Sequence, residues 1–280
     1  MRISLIAALC LTPLSLPAAE LQYPLAIATD SEQTIYLADR NLPGVWKGAG
    51  VWKGAGGKLE LFFEASKKFR TPLNAPRCIL VDSKGRVLVG DSSTREVYRF
   101  DADRKPQPLT KGGVGIPTAL AIDSHGTLFI ADLEIHRIVK VPAEEGGEPV
   151  EFAVIPAPRG LTIDSADRLW VVSHGKDQVV RLTPDAKVET VVTGRPFEFP
   201  HNILLDKDET AYISDNYAKA IWKVPASGKP EKWVSGKPLI NPVGIAWQGE
   251  ALLIADPHAK SVFSVDKAGQ LTTLELRQTP

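Results

Sequence analysis

An all-β fold, a six-bladed β-propeller of four-stranded antiparallel blades, is what this sequence of 280 residues predicts. Three observations carry the prediction. One phrase returns six times, beginning at Pro24, Pro76, Pro117, Pro158, Pro200 and Pro242, with gaps of 52, 41, 41, 42 and 42 residues. Each copy consists of short apolar runs separated by turn residues, a pattern of strands rather than helices. Hydrophobic residues make up 44% of the chain, enough for a packed core.

The third copy shows the phrase plainly, running from Pro117 to Asp132 and resuming at Arg137. Its first strand, 119–122, is apolar on both faces, as a strand buried on both sides requires. Asp123-Ser124-His125-Gly126 follows as a tight turn, because Asp bonds its own backbone and Gly accepts a positive φ. The second strand is 127–131, the third is 138–141, and a more polar fourth strand follows at 150–154. The Pro opening each copy falls at a strand's first residue, where its missing N–H costs least. Sheets apolar on both faces must stack on one another, and repeats of this length do so radially, leaving only short edges. Six copies fill residues 20–280, so a single domain is expected there, with no room for a second.

Ahead of the repeats, Met1-Arg2 supplies one positive charge, residues 3–16 are almost uniformly apolar, and small residues end the stretch at Ala18-Ala19. Residues 1–19 therefore read as a cleaved secretory signal peptide, too short for a membrane anchor. This predicts a periplasmic or secreted protein with no membrane insertion. Cleavage removes Cys10 and leaves Cys78 alone, so no internal disulfide is available and stability must come from packing. Lys and Arg total 33 against 33 Asp and Glu, and a net charge of zero argues against nucleic-acid binding. Residues 45–50 repeat immediately as 51–56. The match of the second copy to Ile221-Trp222-Lys223 places it in a strand and the first in a lengthened loop, read either as a lid carrying Trp46 or as a tolerated insertion.

Antiparallel connectivity puts the residues after each opening Pro on the same face as the ends of the second strands. This face is the mouth of the central channel. The residues directly after each Pro are Leu25, Arg77, Thr118, Arg159, His201 and Val243, a cationic and hydrogen-bonding arc facing an apolar one. Two guanidiniums at one mouth repel unless an anion lies between them or carboxylates such as Asp91, Asp132 or Asp215 flank them. Of the histidines there, His201 points at the channel, and His174 and His258 follow second strands and could lean inward, whereas His136 belongs to the rim. Asp39, Asp91, Asp132, Asp215 and Asp256 recur at the ends of second strands, as loop-capping carboxylates would, with Ser173 in the fourth copy. Asn202 and Asp215-Asn216-Tyr217 make the fifth copy the richest in polar groups.

The stretch from Pro158 to Val171, Pro-x-Gly-Leu-x-Ile-Asp…Leu-Trp-Val, resembles the NHL-repeat propellers, which are related to the senescence-marker-protein/gluconolactonase group and the peptidyl-hydroxyglycine lyases. The resemblance implies the propeller fold and metal ligands at or beside the residue after each Pro. Pro200-His201 looks like the Pro-His of the lyases, but the remaining positions carry Arg, Thr or apolar residues, which disfavours a divalent metal; no other cofactor is expected. Three readings stay open. The mouth binds a small anionic ligand or a partner's acidic segment through Arg77, Thr118, Arg159, His201, Asn202, His174 and His258. Alternatively it is a lactonase-type hydrolase or a lyase, with His201 as base or metal ligand, Arg77 and Arg159 clamping a carboxylate, and Asp215 orienting His201. The third is a monomeric interaction propeller that uses its outer rim.

Overall fold

The computed structural model describes residues 21–41, 44–48, 57–66, 68, 70–226 and 228–278, and in it the repeated apolar runs form six sheets. Five are four-stranded and antiparallel, as the repeat predicts. The first sheet corrects the expectation of four strands in every blade. It has five, because Leu276–Gln278 pairs parallel to Gly57–Glu64 after the four antiparallel strands of that sheet. The end of the chain thus covers what would otherwise be the exposed edge of its first sheet.

The innermost strands are Pro24–Thr29, Pro76–Val81, Pro117–Ile122, Pro158–Ile163, Pro200–Leu205 and Gly244–Gln248. Each touches the next, and the last returns to the first, closing a ring around an axial channel. Five of the strands begin at the repeated Pro, as read from the sequence; the sixth begins at Gly244, two residues beyond Pro242. Side chains fill the spaces between adjacent sheets. Leu88, Leu128 and Ile130 lie between the second and third, Trp170, Ile203 and Ile213 between the fourth and fifth, and Leu37 and Leu253 between the first and sixth.

Close approach of the inner strands explains the Gly in Pro-x-Gly. A Cβ on Gly160 would lie 2.8 Å from the Asn202 Cα, and one on Gly244 would lie 2.8 Å from the Leu25 carbonyl oxygen. Backbone cannot yield there as a flexible side chain could, so at these two positions the strands meet only around hydrogen. Polar links join the blades near the mouth. Thr118 Oγ1 donates to the Pro158 carbonyl at 3.0 Å, and Ser214 Oγ donates to the Val243 carbonyl at 2.6 Å. Each link satisfies a carbonyl at the start of the neighbouring inner strand or just before it.

The duplicated segment is the second correction. Val45, Trp46 and Lys47 of the first copy belong to the strand Gly44–Gly48, pairing with Ala38, Leu37 and Tyr36, so the first copy and not the second supplies the third strand. With Trp46 inside a paired strand, the lid reading fails; the second copy, 51–56, lies outside the described residues. The expected signal peptide, 1–19, also lies outside them. Among the described residues no helix is long and apolar enough to cross a membrane.

Candidate functional site

The buried Asp at the end of each second strand fixes the mouth loops. Asp215 accepts backbone N–H bonds from Glu198, Phe199 and Ala218 at 2.9, 2.9 and 3.2 Å. Asp91 accepts from Leu73, Ala75 and Ser93, and Asp132 from Gly115, Ile116 and Glu134. Each carboxylate ties the loop before an opening Pro to the loop after a second strand, which is the capping role its repetition predicts. In the fourth blade Ser173 stands instead and accepts only from Gly175 N–H at 3.2 Å, while Gln178, accepting from Phe197 N–H and donating to the Phe197 carbonyl, ties the start of the third strand to the loop before Pro200.

These caps leave the mouth cations without counter-charges. Among the described residues no carboxylate pairs with Arg77 or Arg159. Arg77 Nε donates to Ser92 Oγ at 3.0 Å, while Arg159 Nε is buried and bonded to nothing. Burial lowers the pKa of both guanidiniums, and Arg77 is lowered further by the positive charges of Arg40 and Arg159. The Arg159 guanidinium lies over the Phe199 ring, 5.2 Å from its centroid, and Phe199 in turn stacks on the exposed Tyr217 at 4.7 Å. A guanidinium held by its face keeps its N–H edge for a planar acceptor.

His201 sits within this positive field. Its pKa is pushed down to about 3, first by burial and then by Arg159, His174 and Arg77. The ring keeps some accessible surface where it lines the channel, but protein rather than water surrounds most of it, so desolvation dominates. It is a neutral imidazole at physiological pH. His174 also has a lowered pKa, through burial opposed by its 2.9 Å contact with the Pro200 carbonyl. Its ring meets Phe199 edge-on at 4.1 Å. That contact to Pro200 bridges the fourth and fifth blades.

The remaining candidates divide. Leu25, Arg77, Thr118, His201, Asn202 and Val243 all line one axial cavity of about 390 Å³. The Asn202 amide oxygen accepts from Ile203 N–H at 2.8 Å. His258 is exposed and packs edge-on against Tyr23 at 6.0 Å, on the side of the mouth between the sixth and first blades. His136 accepts from Ala157 N–H through Nδ1, a rim contact. The expected Asp215–His201 pair does not form, because three backbone N–H groups occupy the Asp215 carboxylate; Asp215 positions the Phe199 loop instead. Phe199 was missed in the sequence, although an aromatic residue directly before an opening Pro is a legible signal. Arg195, which donates to the His174 carbonyl, carries no comparable signal.

Metal chemistry finds no donor set here. Among the described residues no group of three His, Cys, Asp or Glu side chains is placed to hold an ion. The mouth offers one imidazole between guanidiniums that repel cations and bring no lone pairs.

Fold and mouth together define a β-propeller with a cationic channel mouth. The chain belongs to the virginiamycin B lyase family, whose model matches residues 66–280. Solved structures agree in fold. Virginiamycin B lyase from Staphylococcus aureus shares 14% identity with a TM-score of 0.68, covering 92% of this chain and 86% of that one. A gluconolactonase from Xanthomonas campestris shares 14% identity with a TM-score of 0.72, covering 92% and 88%. The likeness in fold extends to a nidogen/laminin complex, at 18% identity and a TM-score of 0.68 over 81% and 85%. No curated protein matches the sequence.

Proposed function

We propose that the channel mouth is an anion-binding site, taking the carboxylate or phosphate of a small molecule, or an acidic side chain of a partner protein, between Arg77 and Arg159. One observation carries this reading: Arg77 lines the axial cavity, Arg159 stands outside that lining against Phe199 with its charge acting on Arg77 and His201, and no carboxylate among the described residues neutralises either guanidinium. Unpaired buried charge is costly, and a bound anion that accepts from both side chains removes that cost. Calorimetric titration of acetate and inorganic phosphate at low salt tests it. Binding is expected in the wild type and absent in the Arg77→Ala/Arg159→Ala double variant. Equal binding by a folded double variant would overturn the reading.

Family membership supports a second reading, in which the same mouth opens a cyclic ester. A neutral imidazole at His201 is in the protonation state of a general base, and the guanidiniums would hold the carboxylate released. A conjugate acid with a pKa near 3 is a weak base, however, which favours binding over turnover. Incubation with virginiamycin B and with gluconolactone separates the two: product formation lost in His201→Ala supports catalysis, and no product with either substrate supports binding alone.

The N-terminal sequence supports export to the periplasm or medium, and this route predicts a mature protein beginning at Ala19 or Glu20. A monomer with neither nucleic-acid nor membrane partners completes the proposal. N-terminal sequencing of protein from the extracellular or periplasmic fraction tests export; an intact Met1 on cytoplasmic protein would contradict it.

A further inference from the structure

A second ring of mouth residues follows the second strands: Arg40, Ser92, Leu133, His174, Asn216 and Pro257. Backbone fixes it. The N–H of each of the first five donates to the carbonyl of the residue before its own blade's opening Pro, at 3.0 to 3.2 Å. Two side chains of this ring reach the first one. Ser92 Oγ accepts from Arg77 Nε at 3.0 Å, and His174 Nε2 lies 2.9 Å from the Pro200 carbonyl, at the start of the next blade's inner strand. Arg40 holds in the first blade the position that His174 holds in the fourth. The second strand of the first blade, Ile35–Asp39, touches the inner strand Pro76–Val81, which brings Arg40 beside Arg77 as His174 is brought beside Pro200. Electrostatics agree. Burial lowers the Arg77 pKa most, and of the two charges that lower it further Arg40 outweighs Arg159. Exposure weakens the reach of a charge, so the exposed Arg40 is the nearer of the two.

Arg40 has no carboxylate partner among the described residues. Asp39, its neighbour in the chain, is buried and turned to the N–H groups of Gln22, Tyr23 and Asn41. Three guanidiniums therefore serve one mouth, and a single carboxylate between Arg77 and Arg159 leaves the third uncompensated. We infer that the mouth binds a small dicarboxylate, one carboxylate between Arg77 and Arg159 and the other held by Arg40 at the exposed rim. This rests on the anion-binding reading and adds to it the ligand's second charge and the residue that meets it. Arg77 is half-buried and lines the cavity whereas Arg40 is exposed, so the two stand at different depths. Two anionic groups joined by a short chain match that spread better than one compact dianion, and each planar fork takes a planar carboxylate.

The test is calorimetry on the purified protein at low salt, using succinate, glutarate and adipate, the monomethyl ester of each, and methyl phosphate as the compact dianion. The best diacid is expected to bind about two- to fivefold more tightly than its ester, beyond the roughly twofold that two equivalent ends give by statistics. In Arg40→Gln, which keeps the backbone bond to Tyr23, that ratio is expected to fall to the statistical one. A ratio that survives in Arg40→Gln would overturn the placement of the second carboxylate, even where all affinities drop together. Diacids no tighter than the statistical factor allows in the wild type would overturn the second charge and leave the anion site standing. Failure of every diacid, ester and phosphate to bind would remove the anion site as well. Methyl phosphate binding more tightly than every diacid would overturn the separation of the two charges.

Discussion

Arg159 lies over the face of Phe199, its guanidinium carbon 5.2 Å from the ring centroid, and its Nε is buried without a hydrogen-bond partner. The stack fixes the plane of the guanidinium while leaving its edge unused, so Phe199 positions the cation for a ligand. Phe199 is itself held by Asp215, through its backbone N–H, and by stacking on Tyr217. Replacing Phe199 by Leu keeps apolar bulk but removes the stack, worth about 0.5–1 kcal/mol. Acetate affinity is expected to fall about two- to fivefold in calorimetry, with the melting temperature little changed.

The buried imidazole gives a pH dependence of definite sign. His201 titrates at about 3 in the folded protein against an ordinary value of 6.5. Between these values the unfolded chain binds a proton that the folded ring refuses, so stability falls as pH drops from 6.5 toward 3 and is unaffected by this group above that window. His201→Gln removes the penalty. Urea denaturation at pH 7.5 and pH 4.5 should show the variant gaining on the wild type at the lower pH, and a variant that loses ground there would contradict the burial of a neutral ring.

Inner-strand glycines should be intolerant of a single methyl group. Gly160→Ala places Cβ 2.8 Å from the Asn202 Cα and 2.9 Å from the Ile203 nitrogen, both backbone atoms of the next inner strand. Such overpacking costs about 1–3 kcal/mol, measured as a lowered denaturation midpoint. The same change at Gly126, where nothing lies within 4 Å but φ is +80°, tests backbone strain alone and is expected to cost about 1 kcal/mol.

Closure of the first sheet depends on the last strand. Leu276 is buried in the core shared by the first and sixth sheets, together with Leu21, Leu59 and Leu253. Leu276→Ala should cost about 2–5 kcal/mol, and a chain ending at Glu275 at least as much, read by thermal melting. An unchanged melting temperature in the truncated protein would show that the fifth strand does not stabilise the first sheet.

Much of this was legible in the sequence because the repeat encodes register. Each Pro-to-Asp interval contains one antiparallel pair, and the predicted partners meet as Pro76 with Asp91, Pro158 with Ser173 and Pro200 with Asp215. The ring of Arg77, Thr118 and His201 followed from that register alone. The choice between the two copies of the duplicated segment was not legible, since identical residues fit one strand equally well. Nor was the pairing of Leu276–Gln278 with the first sheet, because a three-residue strand has too little pattern to identify its neighbour. The Asp215–His201 pairing failed for a simpler reason. The Asp215 carboxylate is turned to the loop it caps, where the N–H groups of Glu198, Phe199 and Ala218 hold it.

The most direct test is anomalous diffraction from a crystal soaked in 4-bromobenzoate, whose bromine reports both position and orientation. The expected result is a carboxylate within hydrogen-bond reach of both Arg77 and Arg159, with the bromine peak at the channel mouth. A crystal in which both guanidiniums pair with protein carboxylates while the ligand is absent from the mouth would contradict the account.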